Sequence, residues 1–291
     1  MTRDAINSVS LWGVLVFSGI MFSNMVSACE PVDFHAAELP ARQDQPIKTA
    51  LELAYPDLRV TGEPAKVVLP GSAALPLETV REVAPKDMLF APTIAEQFVY
   101  IYPLGFDLTQ RLKPFHDPGR LRNAAFFQTL YFSEPHAARA SLRTIPLGAL
   151  GKGAFTVTRK HGVDCQLETV LAHLQTLTTD YSAFFGSPGG SFNWRRIAGT
   201  DRLSAHSFGI AVDLNADLGN YWRWSGAHRG NVGRYDNRMP AELVATFERY
   251  GFIWGGKWHH YDGMHFEYRP ELILYSRLSK TGSGNGKANE R

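Results

Sequence analysis

Apolar positions follow three patterns along the chain. The first is continuous: residues 11–22 read LWGVLVFSGIMF. Twelve residues fall short of the ~20 that cross a bilayer as a helix, and match the core of a signal peptide. Arg3 supplies a charged start, and Val26-Ser27-Ala28 places small residues where a signal peptidase cuts. Residues 1–28 are therefore expected to be a signal peptide, and the protein to be exported. The second pattern is the lack of a period. Residues 30–85 contain Pro31, Pro40, Pro46, Pro56, Pro64, Pro70, Pro76 and Pro85. Such spacing interrupts both helix and strand, so 29–85 is expected to be an extended arm or linker with one or two short strands.

The third pattern is periodic. Leu167, Val170, Leu171, Leu174 and Leu177 recur at helical spacing, predicting a helix over 164–177 with Asp164 as N-cap. Leu243, Val244 and Phe247 mark a second helix over 240–250, opened by Pro240 and closed by Gly251. Weaker signals suggest helices over 119–131 and 136–145. Alternation over 209–214 predicts a strand, with Ile210, Val212 and Leu214 on one face and Ala211 and Asp213 on the other. Residues 252–254 and 265–268 also read as strands. The tail, 280–291, reads as flexible. The folded part is expected at 86–279.

Composition narrows the function. A net charge of +2 offers no electrostatic footprint for nucleic acid, so none is expected as a partner. Two cysteines, Cys29 and Cys165, exclude a disulfide framework or a four-thiolate metal site. Cys29 directly follows Val-Ser-Ala, as in a bacterial lipobox. It is either lipidated, giving the only membrane contact expected, or an ordinary first mature residue able to pair with Cys165 in an oxidising compartment.

Chemistry concentrates late. Five of the ten histidines lie at or after residue 206. Two segments stand out, SAHSFGIAVD (204–213) and WHHYDGMHFE (258–267). Zinc takes nitrogen and carboxylate ligands, and a catalytic site keeps a position open. His206, Asp213 and His265 would supply three ligands. Asp262, three residues before His265, is placed for a general base. Glu267 shares a strand face with His265 and could orient its other ring nitrogen. His259 and His260 are rival ligands, with hydrogen-bonded loop histidines as the plainer reading. Residues 215–239, rich in Gly, Asn and aromatics, read as a lid, a binding wall or a compact cover over the core.

His206-x6-Asp213 and Asp262-x2-His265, with the upstream stretch FNWRRIAGT (192–200), resemble the zinc-dependent M15 peptidases. That family includes D-alanyl-D-alanine carboxypeptidases, the vancomycin-resistance dipeptidases and L-alanyl-D-glutamate endopeptidases. The resemblance is strong over about 156–272, weaker from about 87, and does not cover 30–85. It implies an α+β, Hedgehog/DD-peptidase-like fold, with a small antiparallel sheet and packed helices. It implies one zinc per chain on His206, Asp213 and His265, with Asp262 as base. An aspartate there is closer to the endopeptidase branch, since the dipeptidases use glutamate. It further implies that Arg195, or failing that Arg196, contacts the scissile carbonyl or a substrate carboxylate, and that Ser204 is a supporting hydrogen-bond donor. The expected substrates are peptidoglycan stem peptides, and the expected location is the periplasm or cell wall. The readings from other classes are a non-catalytic wall-peptide-binding module and a zinc-stabilised structural lipoprotein.

Overall fold

A computed structural model describes residues 29–41 and 44–284, with backbone alone for 281–284. The expected signal peptide and residues 285–291 lie outside the described residues. The architecture is α+β: helices surround small antiparallel sheets. Among the described residues no helix is long and apolar enough to cross a membrane.

The N-terminal stretch differs from the extended arm read in the sequence. It forms α1 (Pro46–Ala54) and an antiparallel sheet of β1 (Arg59–Thr61), β2 (Lys66–Val68) and β3 (Leu75–Pro76). Pro46 sits in the first helical turn, where its missing N–H costs nothing. Ala50, Leu51, Tyr55, Leu58 and Val67 are fully buried in the main core. Strands of two or three residues are too short to show a period, which is why proline content dominated the reading.

Next come α2 (Pro85–Phe90), α3 (Ala124–Leu130) and α4 (Pro135–Ala140). Asn123 caps α3 by accepting from Phe126 N, so the helix begins later than 119. The helix expected over 136–145 stops at Ala140. The chain turns there into β4 (Leu142–Pro146), which pairs with β5 (Ala154–Thr158). The long helix α5 (Val163–Thr176) follows. Gly162, left-handed at φ 71°, precedes it, and Asp164 lies inside its first turn rather than at the cap.

The sheet that positions the site is β6 (Pro188–Gly190), β7 (Ala211–Asn215), β9 (His265–Tyr268) and β8 (Phe252–Trp254), in that spatial order and antiparallel throughout. Val212, Leu214 and Phe266 turn into the core, where Phe266 stacks on Phe247 at 4.1 Å. Phe247 belongs to α7 (Ala241–Arg249), the second periodic helix; α6 (Ala216–Gly219) is a single turn between. The final helix, α8 (Pro270–Gly284), packs against α1 and extends past the residue at which the flexible tail was expected to begin.

Cys29 and Cys165 are joined in a disulfide, tying the first described residue to α5. A sulfur so bonded cannot carry a lipid thioether, so the structure follows the cross-linked alternative.

One ion pair, between exposed Arg81 and buried Glu96, secures the N-terminal segment. Glu96 is fully buried and accepts from Arg81 N, Nε and Nη2 and from Thr93 N. Burial alone would raise its pKa, but the Arg81 and Thr93 hydrogen bonds outweigh this and hold it at about 2. A carboxyl held below its unfolded value of 4.5 contributes stability above that pH and loses it as pH falls toward 2. Glu96→Gln should therefore destabilise the protein at pH 7 by about 1–3 kcal/mol. In thermal unfolding across a pH series, the gap to the parent should narrow between about pH 4.5 and 2.

Candidate active site

Two adjacent strands bring the chemistry together. In the β7–β9 register Asp213 lies opposite His265 and Ala211 opposite Glu267. Side chains directly opposite in an antiparallel pair share a face, so Asp213, His265 and Glu267 project to one side while Val212 and Phe266 project to the core. Ala211 leaves room there for the Glu267 carboxylate.

His206 arrives from a 3-10 turn, Ala205–Phe208. Gly209 ends that turn in the left-handed conformation at φ 68°, and a Cβ there would meet Thr158 N at 2.9 Å. The turn thus feeds directly into β7, placing His206 over Asp213.

Donor atoms of three residues converge. His206 Nε2 is 3.3 Å from His265 Nδ1 and 3.2 Å from Asp213 Oδ2, and His265 Nδ1 is 2.9 Å from Asp213 Oδ1. Two ligands at ~2.0–2.1 Å from a tetrahedral ion stand ~3.3 Å apart. The observed spacings fit that figure within a few tenths of an ångström. Each imidazole is held through its other nitrogen: His206 Nδ1 meets Ser191 O at 2.6 Å, and His265 Nε2 meets Glu267 Oε2 at 3.0 Å. Nδ1–H donated to a carbonyl leaves Nε2 of His206 with its lone pair toward the cluster. The three residues are the one group among those described that could hold a metal ion through mutually close donor atoms.

The electrostatics favour a cation. Burial would lower the pKa of His265, but the Asp213 and Glu267 carboxylates at its two nitrogens raise it to about 9. Burial would raise Asp213, yet His206 and His265 hold it well below its usual value. Asp262 is the reverse: burial first, then Asp213, raise it against the pull of His265 and Arg120. A carboxyl raised by burial beside a cation-seeking cluster suits a group that must take up and release a proton.

Asp262 is fixed by its backbone. Its N–H donates to Gly255 O, its carbonyl accepts from His265 N, and it bridges to Tyr221. The 215–239 connection is stitched to the same turn, with Trp222 N donating to Tyr261 O and Gly263 N to Asn220 O. Trp222 is buried with Val232 and Tyr261 in a small cluster separate from the main core. Trp224 is 62% exposed.

The arginine beside Asp262 is Arg120, with Nη2 3.9 Å from Asp262 Oδ2 and its guanidinium 4.6 Å above the Trp258 ring. Arg195 is exposed, and no hydrogen bond leaves its guanidinium among the described residues. Arg196 pairs with Asp201 and is also exposed. Ser207 holds this stretch: its hydroxyl accepts from Arg195 N at 2.9 Å and donates to Arg195 O at 2.8 Å, while Ser204 N donates to Arg195 O at 3.0 Å. Nothing in the sequence marked Arg120, because it lies far upstream and outside any motif. His259 and His260 take their plainer reading. His260 bonds Asp117 at 2.6 Å and accepts from Gly230 N, and His259 Nδ1 meets Arg111 O.

Behind His265, Glu267 is fully buried and bonded by Arg122 Nε at 2.8 Å and Arg269 Nη1 at 3.1 Å. Arg269 also donates to Glu271, which accepts from Tyr55 Oη at 2.7 Å. The N-terminal segment is thereby tied to the site through one buried polar network.

Gly263 separates Asp262 from the strand bearing His265. A Cβ there would come within 1.7 Å of Gly219 O and 2.4 Å of Tyr235 Oη. Backbone cannot yield by that much, so Gly263→Ala should cost at least about 1–3 kcal/mol and lower the melting temperature in a thermal unfolding scan.

Residues 198–268 match the M15 peptidase model described as D-alanyl-D-alanine carboxypeptidase. The matched span contains His206, Asp213, Asp262, His265 and Glu267 and excludes Arg120, Arg122 and Arg195. Comparison with curated proteins and with solved structures returns no match.

Proposed function

From its membership, through residues 198–268, of the M15 peptidase family, we propose that the chain is an exported zinc peptidase that hydrolyses an amide bond in peptidoglycan stem peptides, at D-Ala–D-Ala or L-Ala–D-Glu. The observation that carries this reading is the convergence of His206 Nε2, Asp213 and His265 Nδ1 at tetrahedral spacing, with Asp262 beside them. Under it the small sheet and its helices are a Hedgehog/DD-peptidase-like core. The Cys29–Cys165 disulfide supports an oxidising, extracytoplasmic location.

His206, Asp213 and His265 would hold one zinc ion, with Ser191 O and Glu267 orienting the two imidazoles. Zinc in such a cage supplies Lewis acidity, acidifying water and polarising an amide carbonyl. Asp262 then accepts the proton of the attacking water and returns it to the leaving amine. Its raised pKa suits both steps, because a weakly acidic carboxyl takes the proton more readily and still releases it to an amine. Arg120, at 3.9 Å, holds positive charge against Asp262 and keeps the carboxylate in place. Arg195, exposed on the loop laced to Ser207, contacts the substrate carbonyl or carboxylate.

Two variants test the assignment. Asp262→Ala should abolish chelator-sensitive release of muropeptide fragments, read by mass spectrometry, while zinc content stays near one per chain. Loss of the metal would instead make Asp262 a ligand, and absence of product from any wall peptide with the parent would sink the enzyme reading. Glu267→Gln should weaken zinc binding by about 10–100-fold in competition with a chelator, because the charged acceptor at His265 Nε2 becomes a neutral amide.

A further inference from the structure

The tip of the 215–239 connection, residues 226–231, is held from outside by one side chain. Among the described residues a single hydrogen bond joins the tip to chain beyond the connection: Gly230 N donates to His260 Nε2 at 3.1 Å. An acceptor at Nε2 needs a lone pair, so the ring proton lies on Nδ1, where Asp117 Oδ2 accepts it at 2.6 Å. Asp117 Oδ1 also accepts from His260 N at 2.8 Å. Both residues are buried. Burial works to raise the Asp117 pKa, but the bonds to His260 outweigh it and hold the carboxyl below its usual range. The imidazole is thus fixed in place and in tautomer before it meets the tip.

Backbone strain marks the same contact. Phe115 adopts a left-handed φ of 63°, which a bulky residue rarely does. Its ring stands edge-on to His260 at 5.3 Å. Gly230, at φ 80°, lies so close that a Cβ would meet the Phe115 ring at 2.8 Å. Strain of this kind persists only where the surroundings enforce it, and it clusters at clamps and switch segments.

The docked tip borders the approach to Asp262. Arg223 and Arg229 from the connection, Ile197 and Thr200 from the approach to His206, and Arg120 and His260 line one pocket of about 50 Å³. Pockets that enclose whole ligands run to ~300–1,000 Å³. Arg120 stands 3.9 Å from Asp262, and Tyr221, at the base of the connection, bridges to Asp262 through its backbone. A bulky peptide entering on this side has to move the tip. Little opposes that movement besides His260. Most of the tip is exposed, Ala227 packs on the Trp222 cluster, and Arg229 lies 4.8 Å over the ring of exposed Phe90. Segments with so few buried contacts open locally at low cost.

We propose that His260, with its tautomer set by Asp117, is a positioning residue that docks the 226–231 tip as a movable wall beside Asp262, and that the docked wall excludes peptides cross-linked on that side. The exclusion rests on the peptidase reading; the docking does not.

The test has two arms. In the first, the full chain with zinc present is digested briefly with trypsin. The Arg229–Gly230 bond contains the amide that His260 holds, and Lys152–Gly153, in the exposed turn between β4 and β5, is the internal reference. His260→Asn keeps a donor for Asp117 and removes the acceptor for Gly230 N; His260→Gln is the conservative variant, which offers Gly230 N a carbonyl oxygen. Relative to the reference, Arg229–Gly230 should be cut at least tenfold faster in His260→Asn than in the parent, and His260→Gln should recover part of the protection. Equal relative cutting in the parent and His260→Asn overturns the docking role. Should His260→Asn fail to fold, amide hydrogen exchange of the parent decides: Gly230 should be protected at least tenfold more than Arg229 and Gly233, and equal protection overturns the docking role. In the second arm, kcat/KM is compared for a linear stem peptide and its cross-linked dimer. The parent should favour the linear peptide by tenfold or more. His260→Asn should narrow that ratio at least fivefold, through KM, with His260→Gln in between. A freed tip with an unchanged ratio overturns the wall. Cleavage of neither peptide by the parent sinks the peptidase reading and the wall with it, while protection at Arg229–Gly230 still upholds the docking role.

Discussion

The Glu267 carboxylate is the point on which the rest depends. It is fully buried, and a lone buried carboxylate would be strongly unfavourable. Arg122 and Arg269 neutralise it, and the His265 imidazole is then held against it at 3.0 Å. Removing either arginine would leave charge uncompensated in the interior, so the network holds as a unit. Its reach explains why distant segments fold against this sheet. Arg122 comes from the stretch before α3, and Arg269 leads through Glu271 to Tyr55 at the end of α1.

The cluster built on that support is poised for positive charge. Asp213 and Glu267 stand at the two nitrogens of His265, and Asp262 adds a third carboxyl nearby. In the absence of other cations the imidazole itself takes that charge, as its raised pKa records. A divalent ion between three donors at tetrahedral spacing would take it instead. Arg120 sets positive charge against that third carboxyl, at 3.9 Å.

Much of the site was legible in the sequence, for a simple reason. His206 and Asp213 sit seven residues apart on a turn and the strand it enters; Asp262, His265 and Glu267 lie within six residues of one another. Strand alternation alone puts His265 and Glu267 on one face, and the structure has them hydrogen-bonded. The helices α5 and α7 were legible because each buries a stripe with a clear period. The N-terminal sheet was not. Its strands are too short for a period, and their burial comes from partners elsewhere in the chain, including α8. Arg120 was invisible for the same reason, since it meets Asp262 only through the fold.

The sequence by itself determined the local chemistry: which residues could ligate, which could move a proton, and which segments had a period strong enough to fold in one way. Tertiary structure alone decided which charges meet. It joined Cys29 to Cys165, folded the proline-rich segment onto the last helix, and put Arg120 next to Asp262. The reason is physical. A backbone period is fixed by neighbours a few residues away, whereas a buried charge requires a counter-charge in space, and only packing determines which residue far along the chain supplies it.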